Sequence, residues 1–334
     1  MAMTMTVLGK PGEDNALYLK VDSGQSNSKL LFDCGENCLD EISCSEIQAI
    51  DHLFFSHHHM DHIAGFDHYF RANYARVSKP NHIWGPPGTA EIMSHRFQGY
   101  WWNLNGSMDA SWFVHDIHPD RIETQRFELR EAFAQSHVFK SERHEGTIVE
   151  FDQFHVSVFI LDHHGPCIAY KVSEKPRCNI DTSRMSKLGL RPGPWLQDLK
   201  NLSITGTIEI NGCSHDMTTL REALLVSVDG DSVAYVTDFR VDDTGADVLA
   251  EWLRGCGRVL CEAQYIDTDM ELAIRHNHMT TKRVGMLAAK ADIGELILFH
   301  LSRRYQTLEW NLMLEECQTE FPGARFPHEW IFKE

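Results

Sequence analysis

Six residues with the sequence HHHMDH, at positions 57–62, constrain the fold of this chain more than any other feature. They stand where an apolar, strand-like segment ends and a helical pattern begins. Alternate residues at the end of a strand point the same way, so His57 and His59 can bind one metal ion. Asp61 and His62, on the first helical turn, can then face a second ion, and this mixture of ligands suits zinc or another borderline divalent ion. A histidine-rich surface tract, the alternative, would not need this placement.

The composition indicates a globular protein with a strong excess of negative charge. Hydrophobic residues make up 43% of the 334 residues and charged residues 24%, which excludes disordered, collagen-like and small disulfide-rich classes. Lysine and arginine total 31 against 48 aspartate and glutamate, so the formal net charge is −17. Since nucleic-acid phosphates need basic partners, this balance argues against indiscriminate binding of nucleic acid. The 20 histidines matter through their positions, because imidazole is the commonest metal-binding side chain.

Cysteine content and hydropathy predict a cytoplasmic protein that does not enter a membrane. The nine cysteines are an odd number without the spacing of a zinc ribbon, which is typical of reduced thiols in the cytoplasm. No apolar run reaches the about 18 residues that a membrane-spanning helix needs. The first residues, MAMTMTVLG, contain no charged segment that leads into an apolar core, so we expect no secretory signal.

The order of strand and helix patterns predicts an α/β fold. Short β-type segments joined by glycine-containing turns occupy much of the first 55 residues, and a helical pattern follows over residues 63–74. Residues 113–162 are again rich in strand patterns, and strands alternate with helices over residues 232–299. Two strand-rich halves that are each followed by helices predict two packed sheets covered by helices on both sides. No linker or repeat divides the chain, so we expect a single domain over residues 1–334.

One basic stretch interrupts the acidic background. Residues 171–200 contain seven lysines and arginines against three aspartates and glutamates. The sequence RPGPW at residues 191–195 favours an extended or protruding element, and an ordinary solvated loop is the alternative. We expect an inserted arm over residues 171–215.

Polar residues at the ends of apolar strands can supply the ligands that the HHHMDH segment lacks. Four ligands cannot complete two metal sites, so other parts of the chain must contribute. His163 follows the strand-like FHVSVFILD, Asp238 follows DSVAYVT, and His300 follows ELILF. Each residue alone would more often be a hydrogen-bonded or exposed residue than a ligand. Together with a segment that needs partners, they become candidate ligands.

In order along nearly the whole chain, these segments resemble the metallo-β-lactamase fold and, within it, the ribonuclease Z family. The resemblance implies a four-layer αββα sandwich with an inserted arm. The segments that carry the resemblance are LFDCGENC, FFSHHHMDHIAGF, IWGPPGTAEIM, LDHHGPCIAYKV, AYVTDFR, CEAQY, HMTT and LFHLSRRY.

The resemblance implies two metal-binding sites joined by one aspartate. In the third-ligand segment a histidine stands three residues before a proline and seven before a tyrosine, and this register selects His163 over His164. Asp33 would orient a ligand histidine, as metal sites usually require. We expect two divalent ions per chain, with zinc as the expected metal and manganese or iron as alternatives. One ion would be held by His57, His59 and His163, the other by Asp61, His62 and His300, with Asp238 bridging them.

The resemblance also implies a mechanism for phosphodiester cleavage. Two ions about 3.5–4 Å apart can hold hydroxide at neutral pH, and this metal-activated hydroxide would be the nucleophile. Asp61 would position the hydroxide or take its proton. His278 of HMTT would protonate the leaving oxygen, with Glu262 holding the imidazole in the right tautomer. His276 is the competing candidate for the proton donor.

The activity that the resemblance implies is that of a metal-dependent endoribonuclease that removes the 3′ trailer of precursor tRNA. It also implies a homodimer in which the arm of one subunit serves the site of the other. The basic arm would hold the body of the tRNA through its phosphates, which position an RNA without reading its sequence. The expected contacts are Lys175, Arg177, Arg184, Lys187, Arg191, Gly193, Pro194 and Lys200.

The loop after the first strand keeps a second substrate class open. This loop, GKPGEDN at residues 9–15, is short and acidic and retains only Asn15 of the family's pattern. The second hypothesis is therefore hydrolysis of another phosphodiester, such as a cyclic nucleotide or a nucleic-acid fragment. A lactonase or thioesterase would share the HHHMDH segment, but this class does not account for His278 or the arm. A non-catalytic RNA-binding protein would not need the ligand set.

An aromatic-rich segment, FQGYWWNLNGSMDASWF at residues 97–113, is heavier in large rings than the resemblance leads us to expect. Core packing or a helix cover is the first interpretation. The alternative is a lid whose Trp101, Trp102 or Trp112 stacks on a nucleobase.

Overall fold

The computed structural model describes residues 2–22, 26–103 and 106–330. Within them, eight strands form a first sheet whose spatial order follows chain order. These strands are β1 (Ala2–Leu8), β2 (Ala16–Asp22), β3 (Asn27–Phe32), β4 (His52–Phe54), β5 (Asn81–Gly85), β6 (Ser111–Ile117), β7 (Arg121–Glu128) and β8 (His137–Arg143). Pairing is parallel from β3 to β6 and antiparallel at both ends of the sheet.

The remaining described strands form a second sheet and two small two-stranded sheets. They are β9 (Thr147–Glu150), β10 (Phe154–Asp162), β11 (Pro166–Glu174), β12 (Arg177–Ile180), β13 (Thr207–Ile210), β14 (Cys213–Asp216), β15 (Leu225–Val228), β16 (Ser232–Val236), β17 (Arg258–Ala263), β18 (Glu295–Leu301) and β19 (Ala324–Arg325). The second sheet has the spatial order β19-β18-β17-β16-β11-β10-β9. Strands β16 to β19 are parallel, so their carboxyl ends meet at one edge of this sheet.

Eleven α-helices occur among the described residues. They are α1 (Cys44–Gln48), α2 (Met60–Ile63), α3 (Phe66–Asn73), α4 (Thr89–Phe97), α5 (Thr182–Lys187), α6 (Trp195–Lys200), α7 (Met217–Leu224), α8 (Asp243–Leu253), α9 (Met270–His276), α10 (Thr281–Ala291) and α11 (Thr307–Glu320). Buried residues of α1, α3 and α4 join the core on the first sheet, and those of α8 and α10 join the core on the second. None of the described helices is long and apolar enough to cross a membrane.

The alternation of side chains along β3 and β4 explains why the first sheet is buried on both faces. Phe32 points inward, where its ring centroid lies 5.6 Å from that of Tyr170 on β11 and 5.9 Å from that of Tyr235 on β16. Leu31 and Leu53 belong to the opposite face, in the core that contains α1, α3 and α4. Each such buried side chain stabilises the fold by about 1.5–3 kcal/mol. The predicted α/β architecture of two packed sheets covered by helices is confirmed.

The helical pattern predicted over residues 63–74 is interrupted in the structure. Helix α2 ends at Ile63 and α3 begins at Phe66. Between them, the Gly65 amide donates a hydrogen bond to the Cys34 carbonyl over 2.9 Å. A Cβ atom on Gly65 would lie 2.2 Å from the Gly35 carbonyl oxygen, so only glycine allows this approach. The break separates the turn that carries the HHHMDH segment from the longer helix that follows it.

Residues 174–230 form a compact unit of their own, inserted between β11 and β16. Strand β12 pairs with β15, and β13 pairs with β14, both antiparallel. A small apolar core fills the unit, built mainly from Met185, Trp195, Leu199, Met217, Leu220 and Leu224. The unit extends beyond the predicted arm of residues 171–215 because α7 supplies part of this core and β15 completes the pairing with β12.

Three histidines, half-buried or buried, lie side by side on the first sheet. His52 on β4 is paired with His82 on β5, and their ring centroids are 4.9 Å apart. His82 Nδ1 lies 3.0 Å from His115 Nε2, and His115 Nδ1 lies 2.8 Å from the Thr124 hydroxyl. Burial lowers the pKa of all three rings, that of His82 to about 4. The folded chain therefore keeps these rings neutral.

Acid is expected to destabilise the chain through this stack. The pKa of His82 is about 4 in the folded chain against an ordinary 6.5, so the unfolded chain binds more protons between these values. Stability should therefore fall as the pH drops from about 6.5 towards 4, by up to about 3 kcal/mol from His82 alone. Urea unfolding across this range should show a weaker pH dependence in His82→Phe than in the wild type. The exposed His95 offers a control, and an unchanged slope in His82→Phe would contradict the prediction.

Candidate metal centre

The HHHMDH segment carries the chain from the end of β4 into α2. Phe54 and Phe55 are fully buried and anchor the strand end in the two cores. His59 immediately precedes the first helical turn and has extended backbone, with φ −67° and ψ 155°. Asp61 and His62 lie on that turn. Strand and helix thus present their side chains to the same place, as the pattern of the segment predicts.

The first cluster contains three histidines around one aspartate. Donor atoms of His57, His59, His163 and Asp238 all lie within 4.8 Å of one another. Asp238 Oδ2 is 3.6 Å from both His57 Nε2 and His163 Nε2. His57 Nε2 is 2.9 Å from His59 Nδ1. Three of the four residues are buried and His59 is exposed, so the cluster opens to solvent on one side.

The second cluster shares Asp238 with the first. Donor atoms of Asp61, His62, Asp238 and His300 also lie within 4.8 Å of one another. His62 Nε2 is 3.3 Å from Asp238 Oδ2, and His300 Nε2 is 3.4 Å from Asp61 Oδ2. The seven residues predicted as metal ligands are therefore brought together in the arrangement that the resemblance implies, with Asp238 common to both groups.

Two observations indicate that these clusters suit divalent cations. His62 Nε2 is buried and has no hydrogen-bond partner among the described residues, while the Asp238 carboxylate stands 3.3 Å away. In the first cluster, burial and the neighbouring histidines lower the pKa of His57 to about 2, so this ring stays neutral and keeps the lone pair that a cation needs. Five imidazoles and two carboxylates are a donor set that metal ions such as zinc take. The ligand atoms of this centre are therefore those of a metal-binding site.

Asp33 fixes the orientation of His62 from behind. Its carboxylate is fully buried and accepts hydrogen bonds from the Ser56 amide and hydroxyl, each over 2.7 Å, and from the Tyr235 hydroxyl over 2.8 Å. His62 Nδ1 lies 2.7 Å from the same carboxylate, which leaves Nε2 facing the cluster. His163 is held in a similar way, because its Nδ1 donates to the Asn277 carbonyl over 3.0 Å. Such partners orient ligand rings and raise their basicity.

The backbone is left-handed at three polar residues that lie at or near the ends of strands. The φ angles are 57° at Asp33, 48° at Asp238 and 53° at His300. Residues other than glycine rarely adopt this conformation, although aspartate and histidine tolerate it better than most. Conformations of this kind cluster at functional sites, where the surrounding structure holds them in place. No pattern in the sequence indicates them.

A buried glutamate and a histidine lie beside the two clusters. Glu262 is fully buried, and its Oε1 accepts a hydrogen bond from the Phe239 amide over 3.0 Å. Its Oε2 lies 2.5 Å from His278 Nδ1, and the two residues form a third group with Asp238. Burial opposes the charge on His278, but the Glu262 carboxylate outweighs it and raises the pKa of His278 to about 9. His276 is exposed and pairs instead with the Tyr265 hydroxyl over 2.6 Å, outside all three groups.

Two contacts of His300 were not anticipated from the sequence. The Gln264 amide contacts His300 Nδ1, and the Asn15 side-chain oxygen accepts a hydrogen bond from the His300 amide over 3.2 Å. Gln264 stands two residues after Glu262 on the same strand end, and that position is the only signal that could have identified it. Asn15 belongs to the acidic loop of residues 9–15 that follows β1.

The predicted substrate contacts lie in the inserted unit and are not part of the metal centre. Arg177 pairs with Glu174 over 2.9 Å, and Arg184 pairs with Asp181 over 3.1 Å. Three of the basic residues are exposed and make no ion pair with other described residues. These are Lys187, Arg191 and Lys200. Gly193 and Pro194 directly precede α6, and Lys175 is half-buried at the start of the unit.

Comparisons with known proteins place these observations in a family. The sequence model described as "Anti-Pycsar protein Apyc1" matches residues 13–163. Ribonuclease Z of Deinococcus radiodurans is 44% identical over 329 residues, which cover 98% of this chain and 99% of the relative.

Solved structures share the fold at lower identity. The metallo-β-lactamase fold protein YhfI from Bacillus subtilis aligns with a TM-score of 0.57 and 17% identity, covering 97% of this chain and 95% of that one. The short form of human tRNase Z aligns with a TM-score of 0.51 and 17% identity, covering 91% and 94%. The chain has the metallo-β-lactamase fold and, by its similarity to the Deinococcus protein over nearly the full length of both, belongs to the ribonuclease Z family.

Proposed function

We propose that this chain is a metal-dependent endoribonuclease that removes the 3′ trailer of precursor tRNA. One observation carries the proposal: two His/Asp clusters share Asp238, and the Glu262–His278 pair stands directly beside them. This arrangement offers both a place for two cations and a separate proton donor. The names of two similar proteins, ribonuclease Z and tRNase Z, support precursor tRNA as the substrate.

The two clusters would hold two divalent ions, and we propose zinc, with manganese or iron as alternatives. When bound, such ions provide a nucleophile at neutral pH and neutralise charge on the phosphodiester. Asp61 would position that nucleophile or take its proton. Its side chain is 44% exposed, far more than that of Asp238, so it faces the side from which a substrate approaches. The hydrogen bond from His300 and the charge of His62 outweigh burial and hold the pKa of Asp61 well below its usual range.

His278 would protonate the leaving oxygen. Its Nδ1 donates to Glu262, which leaves Nε2–H directed away from the glutamate and available to a substrate. A pKa of about 9 keeps the ring protonated at neutral pH, so the proton is in place before cleavage. A positioned acid of this type contributes about 10²–10⁴-fold to a rate.

The acidic loop after β1 favours one second candidate, hydrolysis of another phosphodiester such as a cyclic nucleotide or a nucleic-acid fragment. Asp14 in this loop accepts a hydrogen bond from the Glu36 amide over 2.9 Å and contacts Arg303 at 3.4 Å. The loop therefore already uses its carboxylate to hold neighbouring groups. An acidic surface of this kind suits a small substrate better than a long polyanion, because fewer phosphates must approach it.

Parallel assays distinguish the two candidates. Precursor tRNA, a cyclic dinucleotide and bis-p-nitrophenyl phosphate are compared with the same protein preparation, after metal analysis shows how many ions each chain holds. We expect cleavage of precursor tRNA at the start of its 3′ trailer, and loss of that cleavage after treatment with a chelator. Hydrolysis of the small diester without any cleavage of precursor tRNA would favour the second candidate. Fewer than one ion per chain would count against both.

The inserted unit would serve as the tRNA-holding arm, and we propose that the protein works as a homodimer in the cytoplasm. Support for the arm comes from the exposed Lys187, Arg191 and Lys200, which make no ion pair with other described residues. Support for the compartment comes from the nine cysteines, all of which are free. In the proposed dimer the arm of one subunit serves the site of the other.

Removing the exposed basic residues of the arm is expected to weaken tRNA binding without affecting small diesters. In the triple variant Lys187→Ala, Arg191→Ala and Lys200→Ala, the salt dependence of tRNA binding should decrease by up to about one unit of slope per lost phosphate contact. KM for precursor tRNA should rise, while hydrolysis of bis-p-nitrophenyl phosphate stays at the wild-type rate. The matched control exchanges lysine and arginine at the same positions and should keep most of the affinity. An equal loss on both substrates would refute the arm assignment.

A further inference from the structure

A large aromatic cavity lies on the outer helical layer of the first sheet. Its volume is about 730 Å³, within the about 300–1,000 Å³ that is usual for ligand pockets. None of its lining residues belongs to the three clusters of the metal centre. The aromatic walls come from α3, from the residue that directly follows it, and from the segment after α4. They are Phe70, Tyr74, Tyr100, Trp101 and Trp102.

The aromatic segment of residues 97–113 is divided between core packing and this cavity. Trp112 is fully buried, as core packing predicts. Trp102 Nε1 donates to the Phe97 carbonyl over 2.8 Å, and its ring centroid lies 5.2 Å from that of Phe133, so Trp102 is a fixed wall. Trp101 differs: it is 87% exposed and has no ring partner among the described residues. Core packing therefore does not explain Trp101.

Among the described charged residues that line the cavity, one cation has no ion-pair partner. Asp67 pairs with Arg96 over 3.3 Å. His68 pairs with Asp40 over 3.3 Å. Arg71 also lines the cavity, is exposed, and makes no ion pair with any described residue. The cavity thus combines unoccupied aromatic surface with one positive charge that is free to bind an anion.

We propose that this cavity binds a nucleobase together with its adjoining phosphate. The base would stack on Trp101 and Tyr100, and the phosphate would pair with the Arg71 guanidinium. Sites for single-stranded nucleic acid combine these two elements, aromatic rings that accept any base and cations that follow the backbone. The ligand is either an unpaired segment of RNA or a free nucleotide, and only the first source rests on the proposed function. The site itself requires no cleavage.

Direct binding tests the proposal without using catalysis. The probes are a single-stranded pentaadenylate, the same pentamer without bases, and AMP, titrated into the metal-loaded protein at low salt by calorimetry. The variants are Trp101→Ala and Arg71→Gln, and the control is Val77→Ala, which removes an apolar side chain that is 70% exposed and does not line the cavity. The pentamer is checked for integrity after each titration.

Trp101→Ala should weaken binding of the pentaadenylate by about 5- to 100-fold, as expected for the loss of one stacked base. Arg71→Gln should weaken it less and reduce its salt dependence, and Val77→Ala should have no effect. The base-free pentamer should bind the wild type and Trp101→Ala equally. If Trp101→Ala and Arg71→Gln weaken the binding of AMP as they weaken that of the pentaadenylate, the ligand is a free nucleotide. If they weaken only the binding of the pentaadenylate, the ligand is RNA.

Two results would overturn the proposal. One is that the wild type, Trp101→Ala and Arg71→Gln bind every probe alike. The other is that Trp101→Ala changes the size of the particle in light scattering while probe affinity stays the same, because the cavity would then be covered by a second copy of the chain. Failure of the proposed function would look different, since precursor tRNA would stay uncut while probe binding and its loss in the variants remained.

Discussion

The variant Asp238→Ala is expected to lose most of its bound metal and nearly all of its activity. Asp238 is 2% exposed and, among the described residues, belongs to all three clusters. Its carboxylate oxygens lie 3.3–3.6 Å from His57, His62, His163 and His300. Removing the carboxylate leaves these four imidazoles without the shared negative charge that offsets a pair of cations.

The expected loss of activity follows from what metal ions contribute. Metal ions supply several kcal/mol of transition-state stabilisation. The rate of hydrolysis of both precursor tRNA and bis-p-nitrophenyl phosphate should therefore fall by about 10³-fold or more. Metal per chain is measured by inductively coupled plasma mass spectrometry after dialysis, and folding is checked by circular dichroism. Asp243→Ala is the matched control, because it removes the same charge from a side chain that is 97% exposed. Two ions retained in Asp238→Ala, or normal turnover, would show that Asp238 does not join the two sites.

The variant His278→Ala is expected to keep its metal and to lose turnover by about 10²–10⁴-fold on precursor tRNA. The reason is that His278 is placed by Glu262 at 2.5 Å but is not one of the seven residues that form the two metal clusters. Its loss removes the group that gives a proton to the leaving oxygen, but it removes no ligand atom from either metal cluster. Metal content should therefore match that of the wild type.

Leaving-group dependence separates a proton donor from a residue that only shapes the site. A nitrophenolate is a good leaving group and needs a proton less than a ribose oxygen does. His278→Ala should therefore lose less turnover on bis-p-nitrophenyl phosphate than on precursor tRNA. His276→Ala is the matched control, because His276 bonds Tyr265 and stands outside the clusters. If His276→Ala shows the larger loss and His278→Ala none, the two histidines have been assigned the wrong way round.

Local pattern was enough to identify the part of the metal centre that lies in one segment. His57, His59, Asp61 and His62 sit within six residues at a junction of strand and helix, where the direction of each side chain follows from its position. The remaining ligands depended on where strands end. Asp238 and His300 meet because β16, β17 and β18 are parallel neighbours, and that topology came from the resemblance rather than from the residues themselves.

Other features could not be predicted because they arise from contacts between distant segments. The four hydrogen-bonding groups around Asp33 come from Ser56, His62 and Tyr235, which lie up to 202 positions from Asp33 along the chain. The inserted unit ends later than residue 215 because it includes α7. This helix is an ordinary amphipathic helix and lacks the basic and proline-rich pattern that marks the beginning of the unit. The break at Gly65 follows from a backbone contact that hydrophobic periodicity does not record.

The ends of the inserted unit have a consequence for how this fold can change over evolution. Pairing of β11 with β16 ends at Ser173 before the insertion and begins at Ser232 after it, and these two residues are direct partners. At the base of the unit, Gly230 approaches so closely that a Cβ atom there would lie 2.3 Å from the Glu174 carbonyl oxygen. Entry and exit are thus adjacent, so the whole insertion occupies the place of a hairpin loop. Such a module can be lengthened, exchanged or deleted by recombination while the sheet register, and with it the position of Asp238, is preserved.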